Sequence, residues 1–434
     1  MPQKPSDGPA RIPTISRVLD ETLVELVYQP EDRKTALIVS RNSGLWNVEQ
    51  ELDTGKGEIL IPYSATNNLV ASQCVLLPSQ PVEYRHRQEL AADVRAFLHR
   101  YVGLSPLMEE IAAHYVLLTW VYDRFGELPY LRFRGDFGTG KTRALTVLGS
   151  LCYKAFFASG ASTVSPIFHI LDIFGGTLVL DEADLSFSDA KAHLVKILNN
   201  GTVHGMPVLR TLQNRHKELN PRAFKVYGPK IIAMRDRFAD EALESRFLTE
   251  ETGQYPLRND IPLHLPASFK AEALELRNRL LHFRLCEYFK IETDPSVVMK
   301  DVDPRLNQTA LSLLSVVDDP ATRAQIQEAL KADHEEMLDL RRESVEAAVL
   351  AAALEAFSKA RNSVAVGEIT ARYNAARKTS DLPPASSKFV GHILRTRLHL
   401  KPRRSHGVFA IPASAKSKLE ALAERYGVIH TSQN

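Results

Sequence analysis

The sequence predicts a multidomain α/β protein whose central domain is a parallel sheet with flanking helices. Its 434 residues exceed the size of one ordinary hydrophobic core, so two or three domains are expected. Apolar stretches of strand length lie at 128–133, 178–182 and 231–236, and the second and third end in polar residues. A helical pattern follows the first stretch. Hydrophobic residues make up 44% of the chain and charged residues 24%, which places it among soluble globular proteins.

Changes in residue pattern divide the chain into six segments. A polar, proline-rich start predicts a disordered tail, and strand-like stretches around a turn predict a β-rich module after it. Helical spacing then precedes the α/β core and returns after it, and the end of the chain is basic. The predicted segments are a tail at 1–13, a β-rich module at 14–84, a helical linker region at 85–127, the α/β core at 128–260, a helical lid and linker at 261–341, and a basic C-terminal domain at 342–434.

Composition also argues against a membrane or secreted protein. No apolar run approaches the length of a bilayer span, and the first eleven residues lack the apolar centre of a secretory signal. Cys74, Cys152 and Cys286 lie far apart in apolar neighbourhoods, which indicates buried free thiols and no zinc spacing. We therefore expect a cytoplasmic protein with no membrane partner.

A complete phosphate-binding loop opens the α/β core. The motif G-x-x-x-x-G-K-T follows an apolar strand and precedes a predicted helix at 142–151. Its glycines allow backbone N–H groups to surround phosphate oxygens at a helix N-terminus. Lys141 would reach the β- and γ-phosphates, and the Thr142 hydroxyl would be a Mg²⁺ ligand. We expect ATP and Mg²⁺ to bind at Gly135, Asp136, Phe137, Gly138, Thr139, Gly140, Lys141 and Thr142.

A second strand ends in two carboxylates about forty residues later. The segment 175–182 is apolar until Asp181 and Glu182. A buried strand can place Asp181 beside Thr142, where the two side chains would hold Mg²⁺. Glu182 would then polarise the attacking water. The alternative is a strand that merely ends in two solvated acids.

Arg246 is a candidate for the site of a neighbouring subunit. It lies in Glu244-Ser245-Arg246-Phe247, after a short predicted helix and just beyond the third strand. A delocalised guanidinium in that position suits a finger that stabilises charge on a transferring phosphoryl group. The alternative is a surface salt bridge.

Together, the segments 135–142, 178–182, 231–235 and 244–247 resemble the AAA+ ATPase family. The resemblance implies a homo-oligomeric ring, usually a hexamer, with ATP between subunits. It implies that the third strand lies between the two earlier ones and that its polar end, Arg235 or Asp236, senses the γ-phosphate, although the usual residue there is Asn, Ser or Thr. It also implies a lid arginine that binds ATP, for which Arg305 is the candidate and Arg277 and Arg279 are alternatives.

A basic hairpin is predicted before the third strand. Two short strands, 207–212 and 222–227, flank a polar loop, and 206–227 contains five Lys or Arg against one acidic residue. This segment resembles the pore hairpin of superfamily 3 and minichromosome maintenance helicases, which grips the DNA backbone. By that resemblance, and because phosphates attract cations regardless of sequence, the DNA contacts are Arg210, Arg215, His216 and Lys217. The alternative is a solvated surface hairpin.

The C-terminal segment has the element order of a winged helix. A helix starts at 364, a Pro383-Pro384 break follows, and a second helix at 386–398 precedes a basic hairpin. Residues 380–434 contain nine Lys or Arg against three acidic residues, although the whole chain carries only +2. That asymmetry indicates nucleic-acid binding, and protein contacts are the alternative. The expected contacts with duplex DNA are Lys388, Arg395 and Arg397 from the second helix and Lys401, Arg403 and Arg404 from the wing.

Two functions fit these features. The first is an ATP-driven DNA translocase or helicase that works as a ring, with single-stranded or forked DNA in its pore, and that serves replication of a mobile element. The stretch 133–247 is similar to helicase-like ATPases of plasmids, phages and integrated elements. The second is a DNA-assembled AAA+ ATPase switch that loads or recruits another protein without unwinding. In either case the N-terminal module could bind a replication protein.

Overall fold

A computed structural model describes residues 9–41, 44–160, 162–181, 189–213, 219–238, 240–254, 258–300, 302–359, 362–377, 383–405 and 407–428. The chain divides into two units, one ending at Gln327 and one beginning at Glu328. Each unit is described by itself below.

Seven strands begin the first unit: β1 (Ala10–Thr14), β2 (Ser16–Leu19), β3 (Thr22–Gln29), β4 (Lys34–Arg41), β5 (Trp46–Glu49), β6 (Leu52–Asp53) and β7 (Glu58–Pro62). Strands β2 to β5 form an antiparallel meander, and β1, β7 and β6 form a second sheet. The expectation of a disordered tail up to residue 13 is wrong for residues 10–13. Their backbone is ordered because β1 pairs in parallel with β7.

Three helices connect these strands to the core: α1 (Asn68–Ala71), α2 (Arg87–Tyr101) and α3 (Pro106–Trp120). Helix α3 begins where the Ser105 hydroxyl accepts a hydrogen bond from the backbone N–H of Met108, with proline at its first position. Nearly all of its residues are buried, so α3 is an internal helix of the unit.

The α/β core contains, in chain order, β8 (Tyr130–Arg134), α4 (Lys141–Gly149), β9 (Phe156–Ser159), α5 (Val164–Phe174), β10 (Leu178–Asp181), α6 (Asp189–Asn200), β11 (Val208–Gln213), β12 (Leu219–Phe224), β13 (Lys230–Met234), α7 (Glu241–Glu244) and β14 (Phe247–Glu251). Five of the strands form a parallel sheet in the order β14-β8-β13-β10-β9. The predicted α/β class and parallel central sheet are confirmed. Strand β13 lies between β8 and β10, as the family resemblance implies.

The predicted hairpin is formed by β11 and β12, which pair antiparallel from Val208 opposite Phe224 to Gln213 opposite Leu219. Its second strand therefore begins three residues earlier than the predicted 222–227. The chain beyond Phe224 leaves the hairpin because Tyr227 is fixed elsewhere: its hydroxyl donates to the backbone carbonyls of Tyr122 and Phe125.

Three helices follow the core: α8 (Phe269–Glu287), α9 (Pro304–Ser315) and α10 (Pro320–Arg342). Within the described residues, no helix combines the length and apolarity that crossing a bilayer requires.

The second unit continues with α11 (Val345–Lys359), β15 (Val364–Ala365), α12 (Val366–Ala376), α13 (Ser387–Thr396), β16 (Arg403–Ser405), β17 (Val408–Ile411) and α14 (Lys416–Arg425). Its strands form an antiparallel sheet in the order β15-β17-β16. The first predicted helix was placed two residues too early, because Val364 pairs with Ile411 as a strand residue. Leu350, Ile369, Leu394 and Ile411 contribute to one hydrophobic core.

A buried charge cluster joins three parts of the first unit. Arg284 of α8 donates from Nε to Glu25 of β3 at 2.8 Å and from both Nη atoms to Asp123 at 2.8 Å. The Tyr153 hydroxyl also donates to Glu25, and Lys154 Nζ lies 3.3 Å from the same carboxylate. Glu25, Lys154 and Arg284 are almost completely buried. The cluster therefore ties the N-terminal meander and α8 to the segment that follows α4.

Glu25→Gln should destabilise the first unit strongly. The substitution leaves Lys154 and Arg284 buried without their shared carboxylate, so we expect a loss of about 3–5 kcal/mol of unfolding free energy in urea titrations. The control is Glu272→Gln, which removes a carboxylate paired with Arg100 at the surface and should cost no more than about 1 kcal/mol. Equal effects of the two substitutions would contradict a special role for the cluster.

Stability should also depend on pH through Glu25. Burial alone would raise the pKa of this carboxyl, but Lys154 and Arg284 lower it from 4.5 to about 2. The stabilisation is therefore complete above pH 4.5 and is lost as the pH falls towards 2. The difference in unfolding free energy between wild type and Glu25→Gln should shrink by about 3 kcal/mol over that interval, and a constant difference would refute the shift.

Candidate functional site

The phosphate-binding loop connects β8 to α4 at the carboxyl edge of the parallel sheet. Gly140 precedes α4 in a left-handed conformation with φ of 89°, which glycine adopts without strain. A Cβ atom on Gly135 would lie 2.4 Å from Oγ1 of Thr252, so the chain following β14 packs directly on the loop. Thr139 and Thr252 join the two segments through a hydroxyl–hydroxyl hydrogen bond of 2.8 Å.

Thr142 and Asp181 meet at the start of α4. The Thr142 hydroxyl, in the first turn of the helix, donates to Oδ2 of Asp181 at 2.7 Å. Asp181 is the last residue of β10, and neither side chain is fully buried. A hydroxyl and a carboxylate side by side at a helix N-terminus can hold a hard divalent cation, with phosphate and water supplying the other ligands. The described residues contain no group of three or more His, Cys, Asp or Glu side chains suited to a metal ion.

Lys141 folds back over the loop. Its ammonium donates to the backbone carbonyls of Gly135 and Asp136. Phosphate oxygens can replace these two carbonyl oxygens as hydrogen-bond acceptors.

The end of β13 also reaches the loop. Arg235 follows β13, and its guanidinium lies 3.3 Å from the ring centroid of Phe137, which is 75% exposed. Such a stack is a cation–π contact. Arg235 is thus beside the loop, where the family resemblance puts a phosphate-sensing residue.

Four residues expected to act at these sites lie outside the described residues: Glu182, Arg215, His216 and Lys217. Glu182 directly follows Asp181 in sequence, and the other three belong to the segment between β11 and β12. Their roles stay predictions.

Arg246 is bound at the end of α6 and not at the phosphate loop. Its Nη1 donates to the backbone carbonyl of Asn199 and, at 3.1 Å, to the side-chain oxygen of the same residue. Burial, followed by the like charge of Arg305, lowers the pKa of Arg246. Arg305 therefore lies near Arg246, and none of its described contacts is with the loop. Of its alternatives, Arg277 donates to Ser150 and Arg279 pairs with Asp93 and Glu275.

A cavity of about 890 Å³ lies beside the loop, and the sequence predicted only its loop residues and none of those from other segments. Its volume suits a nucleotide-sized ligand. The Glu250 carboxylate accepts hydrogen bonds from the backbone and hydroxyl of Ser105 at 2.8 and 2.9 Å, and burial raises the pKa of Glu250. The position of Glu250 at the carboxyl end of a core strand was the available signal. The lining comes from α2, the start of α3, the loop and the chain after β14, and includes Ala92, Ala96, His99, Ser105, Phe137, Gly138, Glu250, Thr252 and Arg258.

In the described part of the hairpin, Arg210 and Arg222 contact α5 of the same chain. Arg210 lies 4.7 Å from the ring centroid of Phe168 in α5, and Arg222 donates to Asp172 at 2.8 Å. The two arginines are paired in register, on the same face as the buried Val208 and Phe224. Arg210 remains partly exposed, and its role as a DNA contact stays a prediction. Leu209 and Leu219, each 73% exposed, lie on the opposite face.

The cations of the second unit are exposed. Lys388 and Arg395 lie on α13, Arg397 follows it, and Lys401 precedes β16. Arg397 has a weak ion pair, with Nη1 3.7 Å from Glu346. The structure thus leaves solvent access to all six cations expected there, which also include Arg403 and Arg404.

Comparison with known proteins yields only distant likenesses. No family model matches the sequence, and no curated protein matches it. An apo structure of the NrS-1 C terminal region shares 12% identity over 89% of this chain and 96% of that chain, with a TM-score of 0.38. Another apo structure of that region gives 0.37. A JCV helicase with a bound small molecule shares 17% identity over 59% of this chain and 62% of that chain, with a TM-score of 0.25. At such scores a common fold does not follow, and the site geometry alone carries the functional conclusion.

Proposed function

We propose that this protein is an ATP-driven DNA translocase or helicase that works as a ring oligomer. The observation that carries the ATPase part is the hydrogen bond between Thr142 and Asp181, at 2.7 Å. It joins a phosphate-loop hydroxyl to a strand-end carboxylate at the edge of a parallel sheet. A nucleotide-sized cavity opens beside that loop.

The nucleotide would bind with its phosphates on the loop and its base in the cavity. The backbone N–H groups at the start of α4 point to the phosphates, and the Lys141 ammonium exchanges its two carbonyl acceptors for phosphate oxygens. Thr142 and Asp181 would hold Mg²⁺, which neutralises phosphate charge when bound. Glu182 would accept a proton from the attacking water.

A ring is supported by the position of Arg246. An arginine that completes a neighbour's site must lie away from its own phosphate loop, and Arg246 is bound at the far end of α6. Arg305 lies close to it. We propose that this pair of cations faces the γ-phosphate of the next subunit, with α8, α9 and the start of α10 as the lid.

The hairpin is proposed to grip single-stranded DNA in the pore through Arg215, His216 and Lys217. Strand β13 connects it to the nucleotide. At one end of β13, Lys230 Nζ donates to the carbonyls of Val226 and Gly228 at 2.9 Å, and it lies 3.4 Å from that of Gly201. These carbonyls belong to the segments that enter and leave the hairpin. At the other end, Arg235 stacks on Phe137, so one strand contacts both sites.

The second unit is proposed to be a winged helix that binds duplex DNA. Support comes from the order of α12, α13 and the β16–β17 pair and from exposed cations on α13 and β16. We further propose that the protein acts in replication of a mobile element and that its N-terminal sheets bind a replication protein.

A protein-loading switch is the second candidate. The exposed face of the hairpin carries Leu209 and Leu219, which suit contact with a protein better than contact with a phosphate backbone. In that case ATP would assemble the chain on DNA and recruit a partner without unwinding.

Steady-state ATP hydrolysis with and without single-stranded and forked DNA tests the proposal. A motor should be stimulated strongly by DNA, and Glu182→Gln should lower turnover about 100-fold or more because it removes the proton acceptor. Replacing Arg215 and Lys217 by Ala should abolish the stimulation while basal turnover persists. A hydrolysis rate that does not change when DNA is added would favour the protein-loading switch. An absence of hydrolysis in wild type would overturn both the motor and the switch.

Asp181→Asn should raise the Mg²⁺ concentration that ATP hydrolysis requires. The amide replaces the charged partner of Thr142, so the Mg²⁺ concentration for half-maximal turnover should rise about 10- to 100-fold. The control is Asp53→Asn, an exposed carboxylate on β6 away from the loop, which should leave that concentration within about twofold. An identical response of the two variants would argue against a cation at Thr142 and Asp181.

Lys230→Met should uncouple the hairpin from hydrolysis. Loss of the ammonium leaves the Val226 and Gly228 carbonyls without their donor, at a cost of about 1–3 kcal/mol in local stability. We expect basal turnover to remain and DNA stimulation to fall. The matched control is Lys196→Met, an exposed lysine on α6, and equal stimulation in the two variants would refute the coupling.

A further inference from the structure

A second large cleft lies at the other end of α4 from the phosphate loop. It encloses about 860 Å³ between the second half of α4, the start of α8 and the turn between β3 and β4. Lys270, Ala273, Leu274 and Arg277 line it, and their spacing puts them on one face of α8. Ser150, at the end of α4, lies about 13 Å along the helix from Lys141. The cleft is thus separate from the nucleotide site.

Arg277 carries a buried positive charge without a compensating carboxylate. Its side chain is 6% exposed. Within the described part of the chain its one hydrogen bond runs from Nη1 to the Ser150 carbonyl at 2.7 Å, and Nε has no partner. Burial lowers the pKa of the guanidinium to about 10, and no charged neighbour offsets that effect. The arginine is therefore prepared for an acceptor that the chain itself does not supply.

Arg284, seven residues further along the same helix, is a buried arginine whose charge is compensated by carboxylates. It is equally buried, but Glu25 and Asp123 occupy its guanidinium. A buried charge without such a partner is costly to the fold, and native proteins rarely retain one without a reason.

The chemistry of the cleft favours an oxyanion. A guanidinium presents a planar fork of N–H donors that matches the oxygens of a phosphate or a carboxylate. Gln73, Gln80 and Lys270, whose side chains can donate hydrogen bonds, also line the cleft. Glu31 and Asp32 are exposed on the opposite wall and form no ion pair with Arg277 within the described residues. Because neither carboxylate neutralises Arg277, its guanidinium can still bind an anion.

We propose that this cleft is a second ligand site, in which Arg277 binds the phosphate or carboxylate group of a small molecule. The proposal does not depend on ATP hydrolysis, because it rests on α8 and the end of α4 alone.

Calorimetric titration of the full-length chain with inorganic phosphate, and separately with acetate, tests this site. The chain should carry Lys141→Ala, so that the lysine of the phosphate loop does not contribute. Arg277→Met in that background should weaken anion binding at least about tenfold, because the charged fork is lost. Arg279→Met, on the same helix but paired with Asp93 and Glu275, should leave binding unchanged. Binding of phosphate without acetate would assign the site to phosphate ligands, and binding of acetate without phosphate would assign it to carboxylates.

Thermal unfolding separates a ligand role from a structural one. If Arg277 awaits an anion, Arg277→Met should melt no lower than wild type in the absence of anions, since an uncompensated buried charge is removed. If that variant does not fold, Arg277→Lys retains the charge without the fork and should also weaken binding about tenfold. The proposal is overturned if neither anion binds to the Lys141→Ala chain, or if binding survives replacement of Arg277.

Discussion

The guanidinium of Arg284 is the contact on which the arrangement of the first unit depends. It binds Glu25 from the N-terminal meander and Asp123 from the turn before the core, while its own backbone belongs to α8. Three segments distant in sequence therefore share one buried charge group. Because each member would be costly to bury alone, their association fixes how the meander and α8 lie against the α/β core. The start of α8 forms one wall of the cleft at the end of α4, so the shape of that cleft depends on the same contact.

The central sheet brings the candidate site residues together. Strands β8, β10 and β13 end at one edge of the sheet, where the loop follows β8, Asp181 ends β10 and Arg235 follows β13. The carboxyl edge of a parallel sheet is where ligands of α/β proteins bind. The opposite edge carries Lys230 and the segments that enter and leave the hairpin. The sheet is thus bordered by the proposed nucleotide site on one side and by the proposed DNA-gripping hairpin on the other.

Local patterns predicted the loop and the strand ending in Asp181, because glycine spacing and apolar runs are properties of contiguous residues. The position of β13 between β8 and β10 was implied by the family resemblance. The cavity beside the loop was not predictable in this way. Its Ala96, Ser105 and Glu250 come from separate segments without a motif, and only the packing of α2 against the core unites them. The contact of Arg210 with Phe168 was unpredictable for a different reason. Side chains alternate between the two faces of a strand, and the face that Arg210 occupies is set by the pairing of β11 with β12 and not by composition.

The strand order also constrains how the chain is made. Leu131 of β8 pairs with Ile231 on one side and with Leu248 on the other. During synthesis, the strand that leads into the phosphate loop therefore emerges from the ribosome long before either of its sheet neighbours exists. Non-local parallel pairing of this kind is slow, and until it is complete the apolar side chains and the unpaired edges of the strand stay exposed. Strand β8 therefore stays unpaired while two further core strands and the hairpin are synthesised. An unpaired apolar strand of this kind is a segment that a chaperone can bind.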